Sequence, residues 1–297
     1  MNKKAFIFAA FTILLWASSF AGVRVGILGG FTASHLVLTR FIVASGIFIL
    51  YSLLPGVHFR LPKKGDLVRI LLLGWVGITI YHTGLTFGVQ TISAGTASMI
   101  VGSAPIFTAI IAVIFLKERL HVFGWIGISV GFIGIVLITL GSEGSSFTIE
   151  KGAIYMLIAT IATSIFFVFQ KPLLTKYKPI ELTAYFTWAG TLPLLIFAPG
   201  LMESIQISTL EAKVAAVFVG IFPAAVAYAT WAIALSLGNA SSVASMMYVE
   251  PAIAIVIAWF WLQEWPSILS LIGGAIALSS VFIVNAVGKN RRKKASY

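Results

Sequence analysis

Cysteine is absent from this 297-residue chain, which excludes disulfide scaffolds, thiolate nucleophiles and cysteine-based metal sites. Acid is scarce: nine Asp and Glu stand against twenty Lys and Arg, and charged residues are only 10% of the chain, where soluble domains carry about a quarter. Four scattered histidines offer no metal-ligand spacing. There is no glycine-rich phosphate loop of the Walker type, so ATP coupling within the chain is not expected. A single acid lies deep in an apolar run, with no paired carboxylates or placed serine–histidine motif, so an enzyme is not expected either. No cofactor or metal is implied.

Hydrophobic residues make up 59% of the chain. A membrane-spanning helix needs about 20 largely apolar residues, because hydrocarbon leaves every backbone group to be bonded within the helix. Ten such runs lie at about 5–25, 33–54, 67–87, 94–116, 121–140, 152–170, 180–199, 213–235, 241–262 and 267–287. The expected class is an all-α membrane protein of ten transmembrane helices joined by short polar connections. The first run follows Lys3 and Lys4 but lacks a small-residue cleavage site before a polar stretch, so it reads as a retained helix.

The net charge of +11 is explained by where the cations fall. An even number of spans puts both termini on one side, and Lys3, Lys4, Arg60, Lys63, Lys64, Arg69, Lys117, Arg119, Lys171, Lys176, Lys178 and the tail cations from Lys289 to Lys294 share it. By the positive-inside rule that side, with both termini, is cytoplasmic. The basic charge records insertion into a bacterial cytoplasmic membrane, and nucleic acid is not an expected partner. The tail 288–297 suits contact with anionic lipid.

A gapless offset carries Ser18 onto Ser164, Gly74 onto Gly220, Pro105 onto Pro251, Leu116 onto Leu262, Glu118 onto Glu264 and Gly127 onto Gly273. Two repeats of five spans, 1–141 and 151–287, follow. Five is odd, so the second half must enter the membrane inverted, a plan common among secondary transporters. Together with Trp16-Ala17-Ser18-Ser19-Phe20, Pro105 followed by Leu116-Lys117-Glu118-Arg119-Leu120, and Glu250-Pro251 followed by Leu262-Gln263-Glu264, this resembles the EamA family of the drug/metabolite transporter superfamily across essentially the whole chain.

The resemblance implies a secondary transporter, an exporter of amino acids or related small metabolites. It also implies a central cavity lined by runs 1, 3, 4, 6, 8 and 9, with runs 5 and 10 at the periphery. Two other readings stay open: a channel or facilitator pore, and a non-transporting membrane scaffold. Gly124, Gly127, Gly131 and Gly134 in run 5, and Gly273, Gly274, Ala275 and Ala277 in run 10, suit close helix packing, within a monomer or in a weak homodimer.

Candidate site residues follow from depth and polarity. Pro105 and Pro251 lie near the middle of their runs, where an interior proline frees the carbonyl four residues back and kinks the helix; both are kink or gating candidates. Glu250 is a carboxylate at bilayer depth, costing about 2.5–3.5 kcal/mol on insertion scales, so it should face the bundle interior. Its open uses are proton coupling, holding a substrate amine, and structural acceptance. His82 is a candidate relay partner for Glu250. Arg40, two turns into run 2, needs an acceptor such as carbonyls at a helix end, and Arg24, nearer the outer surface, has the length to snorkel. In the runs that line the family's cavity, Trp16, Ser19, Tyr81, His82, Ser98, Ser103, Tyr155, Gln170, Tyr228, Trp231, Met247 and Glu250 are the candidate lining residues. The expected partners are the lipid bilayer, a small-molecule substrate and, as a candidate coupling ion, the proton.

Overall fold

A computed structural model describes residues 3–116, 122–141, 150–170, 172–237 and 245–292. Residues 117–120 of the Leu116-to-Leu120 motif, Glu118 among them, and residues 293–297 of the basic tail lie outside the described residues. The described chain is helical throughout. Its elements are α1 (Lys3–Leu28), α2 (Ala33–Ser52), α3 (Lys64–Gly74), α4 (Tyr81–Gly88), α5 (Ala94–Gly102), α6 (Ala104–Leu116), α7 (Val122–Leu140), α8 (Lys151–Gln170), α9 (Pro179–Leu194), α10 (Leu201–Ile207), α11 (Leu210–Ile221), α12 (Ala227–Leu237), α13 (Glu250–Leu262) and α14 (Ile268–Arg292). Among them, seven helical stretches are long and apolar enough to cross a membrane: Lys3–Leu28, Ala33–Ser52, Lys64–Gly88, Ala94–Phe115, Lys151–Gln170, Pro179–Phe197 and Leu210–Ala234. Three shorter apolar helices, Trp125–Leu140, Met246–Leu262 and Ile268–Ser280, fall at the remaining runs.

Helix starts are set by local chemistry. Thr32, Ser93 and Thr209 each accept a hydrogen bond from an N–H of the following turn, at the starts of α2, α5 and α11. These satisfy donors that would otherwise be orphaned. Helices α3 and α4 run on through a π-helical segment, Trp75–Ile80, and α11 and α12 through another, Phe222–Val226, which contains Pro223. The offset that carries Pro105 onto Pro251 also carries α3 onto α11 and the first π segment onto the second.

Pro105 and Pro251 do not kink continuous helices. In each case the helix ends and a new one begins: α5 ends at Gly102, and Pro105 is the second residue of α6; a 3-10 turn, Ser245–Val249, precedes α13, where Pro251 is again the second residue. In a first turn the missing proline N–H costs nothing, because that N–H has no intrahelical acceptor. The two breaks touch. A Cβ on Gly102 would lie 2.7 Å from Cγ of Pro251, so only glycine admits that ring.

Helices α7 and α14 pack along one another. A Cβ on Gly134 would meet the backbone of Ala277 at 2.6 Å and the Gly273 carbonyl oxygen at 2.7 Å. The small residues of runs 5 and 10 therefore serve packing within one chain at this contact. Gly134→Ala is expected to lower thermal stability in detergent by roughly 1–3 kcal/mol, the usual cost of overpacking. Gly46→Ala in α2 has nothing within 4 Å of the new Cβ and should be neutral or stabilising by up to about 1 kcal/mol; equal effects of the two would contradict the packing account.

Candidate functional site

The two ends of the bundle are built differently. At the basic end the 53–63 connection is pinned to the start of α9: the Arg60 N–H donates to the Glu181 carboxylate, and the Tyr185 hydroxyl donates to the Arg60 carbonyl. Lys176 Nζ donates to Asp66 Oδ1 at 2.8 Å and the Tyr177 hydroxyl to Asp66 Oδ2 at 3.1 Å. A cavity of about 310 Å³ lies at this end, with Tyr51, Phe59, Lys178, Glu181, Ala232 and Ile233 among its walls. Ala232 follows Tyr228 by one turn on α12, so one face of that helix runs from the cavity to Tyr228.

The opposite end is closed by a charged clamp. Arg24, near the end of α1, donates through Nε to Glu264 Oε1 at 3.0 Å and through Nη1 to the carbonyls of Val89 and Gln90 at 2.6 and 2.8 Å. The other Glu264 oxygen accepts from the Ala94 N–H at the start of α5 at 3.3 Å. Arg24 does not snorkel to solvent; it joins α1, the α4–α5 connection and the α13–α14 connection at one point. Glu264 lies two residues past the end of α13 and 240 residues from Arg24, so no local pattern announces the pair.

Between the ends lies a cluster of aromatic and titratable side chains from α1, α2, α4 and α12, in which Arg40, Phe41 and His82 are buried and Trp16, Tyr81, Tyr228 and Trp231 half-buried. Trp16 packs edge-on against Tyr228 at 5.4 Å and tilted against Trp231 at 5.1 Å between ring centroids. His82 Nε2 lies 3.3 Å from the Tyr228 hydroxyl, with the rings of Phe41 and Tyr81 at 4.6 and 4.4 Å. Arg40 is buried at 2% exposure, within electrostatic reach of Tyr81, His82 and Tyr228. Glu250, in the first turn of α13, is within reach of the same two phenols, Tyr81 and Tyr228. The π segments end just before Tyr81 and one residue short of Tyr228; such segments insert an extra residue per turn and are frequent at functional sites.

Several polar atoms of this cluster are unpartnered. Ser19 Oγ, His82 Nδ1, and Nε and Nη1 of Arg40 are buried without a hydrogen bond among the described residues. The ion pairs among the described residues are Arg24–Glu264 and Lys176–Asp66; neither Arg40 nor Glu250 takes part. Among the described residues no hydrogen bond joins His82 to Glu250; the imidazole meets Tyr228 through Nε2, and Nδ1 has no partner. The helix-end acceptor expected for Arg40 is not found among the described residues.

The other candidates fall elsewhere or add little. Ser98 and Ser103 are buried, but each hydroxyl donates to a carbonyl three residues back, Gly95 and Ile100, so they finish their own helix. Tyr155 is 41% exposed and packs edge-on against Phe87. Gln170 ends α8 towards the basic end, where its carbonyl accepts from the Leu173 N–H. Met247 is half-buried in the 3-10 turn before Glu250. Position within a run does not give the face a side chain takes, which depends on helix rotation against its neighbours.

Comparison with known proteins agrees with this architecture. The EamA-like transporter family matches over residues 3–140 and again over 150–286. An uncharacterized transporter, YdfC, of Bacillus subtilis is 37% identical over 267 residues, 90% of this chain and 86% of that protein. A probable terminal-alkyne amino-acid exporter of Streptantibioticus cattleyicolor is 32% identical over 285 residues, 96% of this chain and 94% of that protein. A protein of known crystal structure superposes with a TM-score of 0.65 at 18% identity, covering 98% of this chain and 99% of that one, a likeness of fold. The chain belongs to the EamA-like transporter family and is a multi-pass membrane protein.

Proposed function

We propose that this protein is a secondary transporter of a bacterial cytoplasmic membrane that exports amino acids or related small metabolites by alternating access. It has ten spans in two inverted five-helix repeats, 1–141 and 151–287, with both termini and the basic tail in the cytoplasm. The observation that carries this reading is the cluster at the two touching helix breaks, where Glu250 stands without an ion pair. Discontinuous helices at mid-depth are where transporters of inverted-repeat design bind their cargo. Two hydrogen bonds, Ser45 to Thr191 at 2.9 Å and His82 to Tyr228 at 3.3 Å, join residues 146 apart, the same step as Pro105 to Pro251. Equivalent residues touch only beside a two-fold axis, so these bonds support a repeat axis running through the cluster. The relative named as a probable amino-acid exporter supports the direction and the substrate class.

In this reading the basic-end cavity is the cytoplasmic vestibule and the Arg24–Glu264 clamp is the closed outer gate. Outward opening requires the clamp to part. A Ser19→Cys variant, the only thiol in an otherwise cysteine-free chain, should react faster with a membrane-impermeant maleimide from the cytoplasmic side than from the outside. Adding Glu264→Gln should raise the outside rate several-fold; an unchanged rate would remove the clamp from the gating cycle.

Glu250→Gln keeps the shape of the side chain and deletes its charge. Comparison of metabolites excreted by overexpressing and deleted cells identifies the cargo, and proteoliposomes then measure its saturable flux and counterflow. If the carboxylate couples protons, the variant keeps counterflow and loses its response to an imposed pH gradient. If it holds a substrate amine, binding weakens and neutral analogues suffer less. Normal transport at every gradient would leave Glu250 a structural role only, and flux without saturation or counterflow would replace the carrier with a pore.

A further inference from the structure

We propose that Arg40 is the receptor for a carboxylate on the transported solute and Glu250 for an ammonium group on the same solute, so that the site takes a zwitterionic amino acid with an apolar side chain. This rests on the carrier reading above and extends it to a residue outside the runs expected to line the cavity.

Arg24 and Arg40, two of the three arginines in the membrane-spanning helices of the first half, stand in contrast. Arg24 is surrounded by acceptors: a carboxylate and two carbonyls. Arg40 is buried more deeply and has no such shell; Nε and Nη1 are without hydrogen bonds among the described residues, and its near neighbour is the ring of Phe41, 5.6 Å from Cζ. A guanidinium cannot shed its proton to escape the cost of burial, and an unpaired buried charge is strongly destabilising. A cost of that kind persists where a function supplies the missing partner.

The missing partner has a recognisable shape. A guanidinium presents donors in a plane that matches the two oxygens of a carboxylate, and this is the chemistry for which arginine is preferred over lysine. Glu250 supplies the complementary charge. Both groups are within electrostatic range of the Tyr81 and Tyr228 phenols, yet among the described residues they form no ion pair with each other. Opposite charges, Arg40 buried and Glu250 half-buried, that face the same phenols without pairing suit a ligand that is itself dipolar. Trp16 and Trp231 offer the apolar surface for its side chain.

The test uses the full-length protein in lipid nanodiscs, tryptophan fluorescence, and three probes of like size: L-leucine, L-leucinamide, which lacks the carboxylate, and 4-methylpentanoate, which lacks the ammonium. The wild type should bind leucine, and leucinamide roughly tenfold or more weakly. Arg40→Gln should weaken leucine by a similar factor and abolish the preference over leucinamide, with Arg40→Lys intermediate. Glu250→Gln should weaken leucine and spare 4-methylpentanoate. Removing an unpaired charge should also raise the unfolding midpoint of the empty protein, by about 2–4 °C or more, whereas a structural arginine would give a fall. Equal binding of leucine and leucinamide, absence of leucine binding, unchanged affinity in Arg40→Gln, or a lowered midpoint or failed accumulation of that variant overturns the assignment. If those results come with saturable counterflow of an excreted metabolite, only the carboxylate receptor is lost; if no counterflow is found for any cargo, the carrier reading fails with it.

Discussion

Hydrocarbon offers no hydrogen bond to a peptide group, and the rest of this structure follows from that constraint. A helix may stop inside the membrane only where its loose ends face protein. Here α5 gives way to α6, and the 3-10 turn to α13, at places that touch each other through Gly102 and Pro251. The prolines stand in first turns, where their lack of an N–H is harmless. The two breaks pack against each other.

Charge is handled in two ways. Near the ends of the bundle, Arg24, Asp66 and Glu181 are joined to partners that tie connections to helices. In the middle, Arg40 and Glu250 lie in one cluster with no ion pair. The paired groups stabilise the bundle, and the unpaired ones cost it stability. A protein selected for stability alone would have replaced them, since buried charges are readily exchanged for apolar residues.

The helices around that cluster are held by close backbone approach. Without a hydrophobic drive between helices in lipid, association depends on fit. Gly77 makes room for the ring of Phe166, Gly74 meets Gly190, and Gly134 meets Gly273. The contacts between α7 and α14 lie away from the cluster and carry no charged group among the described side chains. They form a scaffold against which the broken helices are placed.

Composition and periodicity were enough to recognise a helical membrane protein, because the length and apolarity of a spanning segment are local properties. A run of matching positions at one offset, Pro105 with Pro251 among them, could be read as well; Glu250 and His82 stood out by depth and residue type, and Trp16, Tyr81, Tyr228 and Trp231 became candidates through the family resemblance that put their runs at the cavity. Tyr155, Ser98 and Ser103 had the same depth and similar chemistry, yet rotation of their helices turned Tyr155 outward and left the serines bonded to their own backbone. The sequence could not show that Arg24 meets Glu264 while Nε and Nη1 of Arg40 meet no acceptor among the described residues, nor that π segments lead into Tyr81 and Tyr228. Burial depth is written along one helix; the partner of a buried charge comes from another helix, and only the packing of the two decides whether it is there.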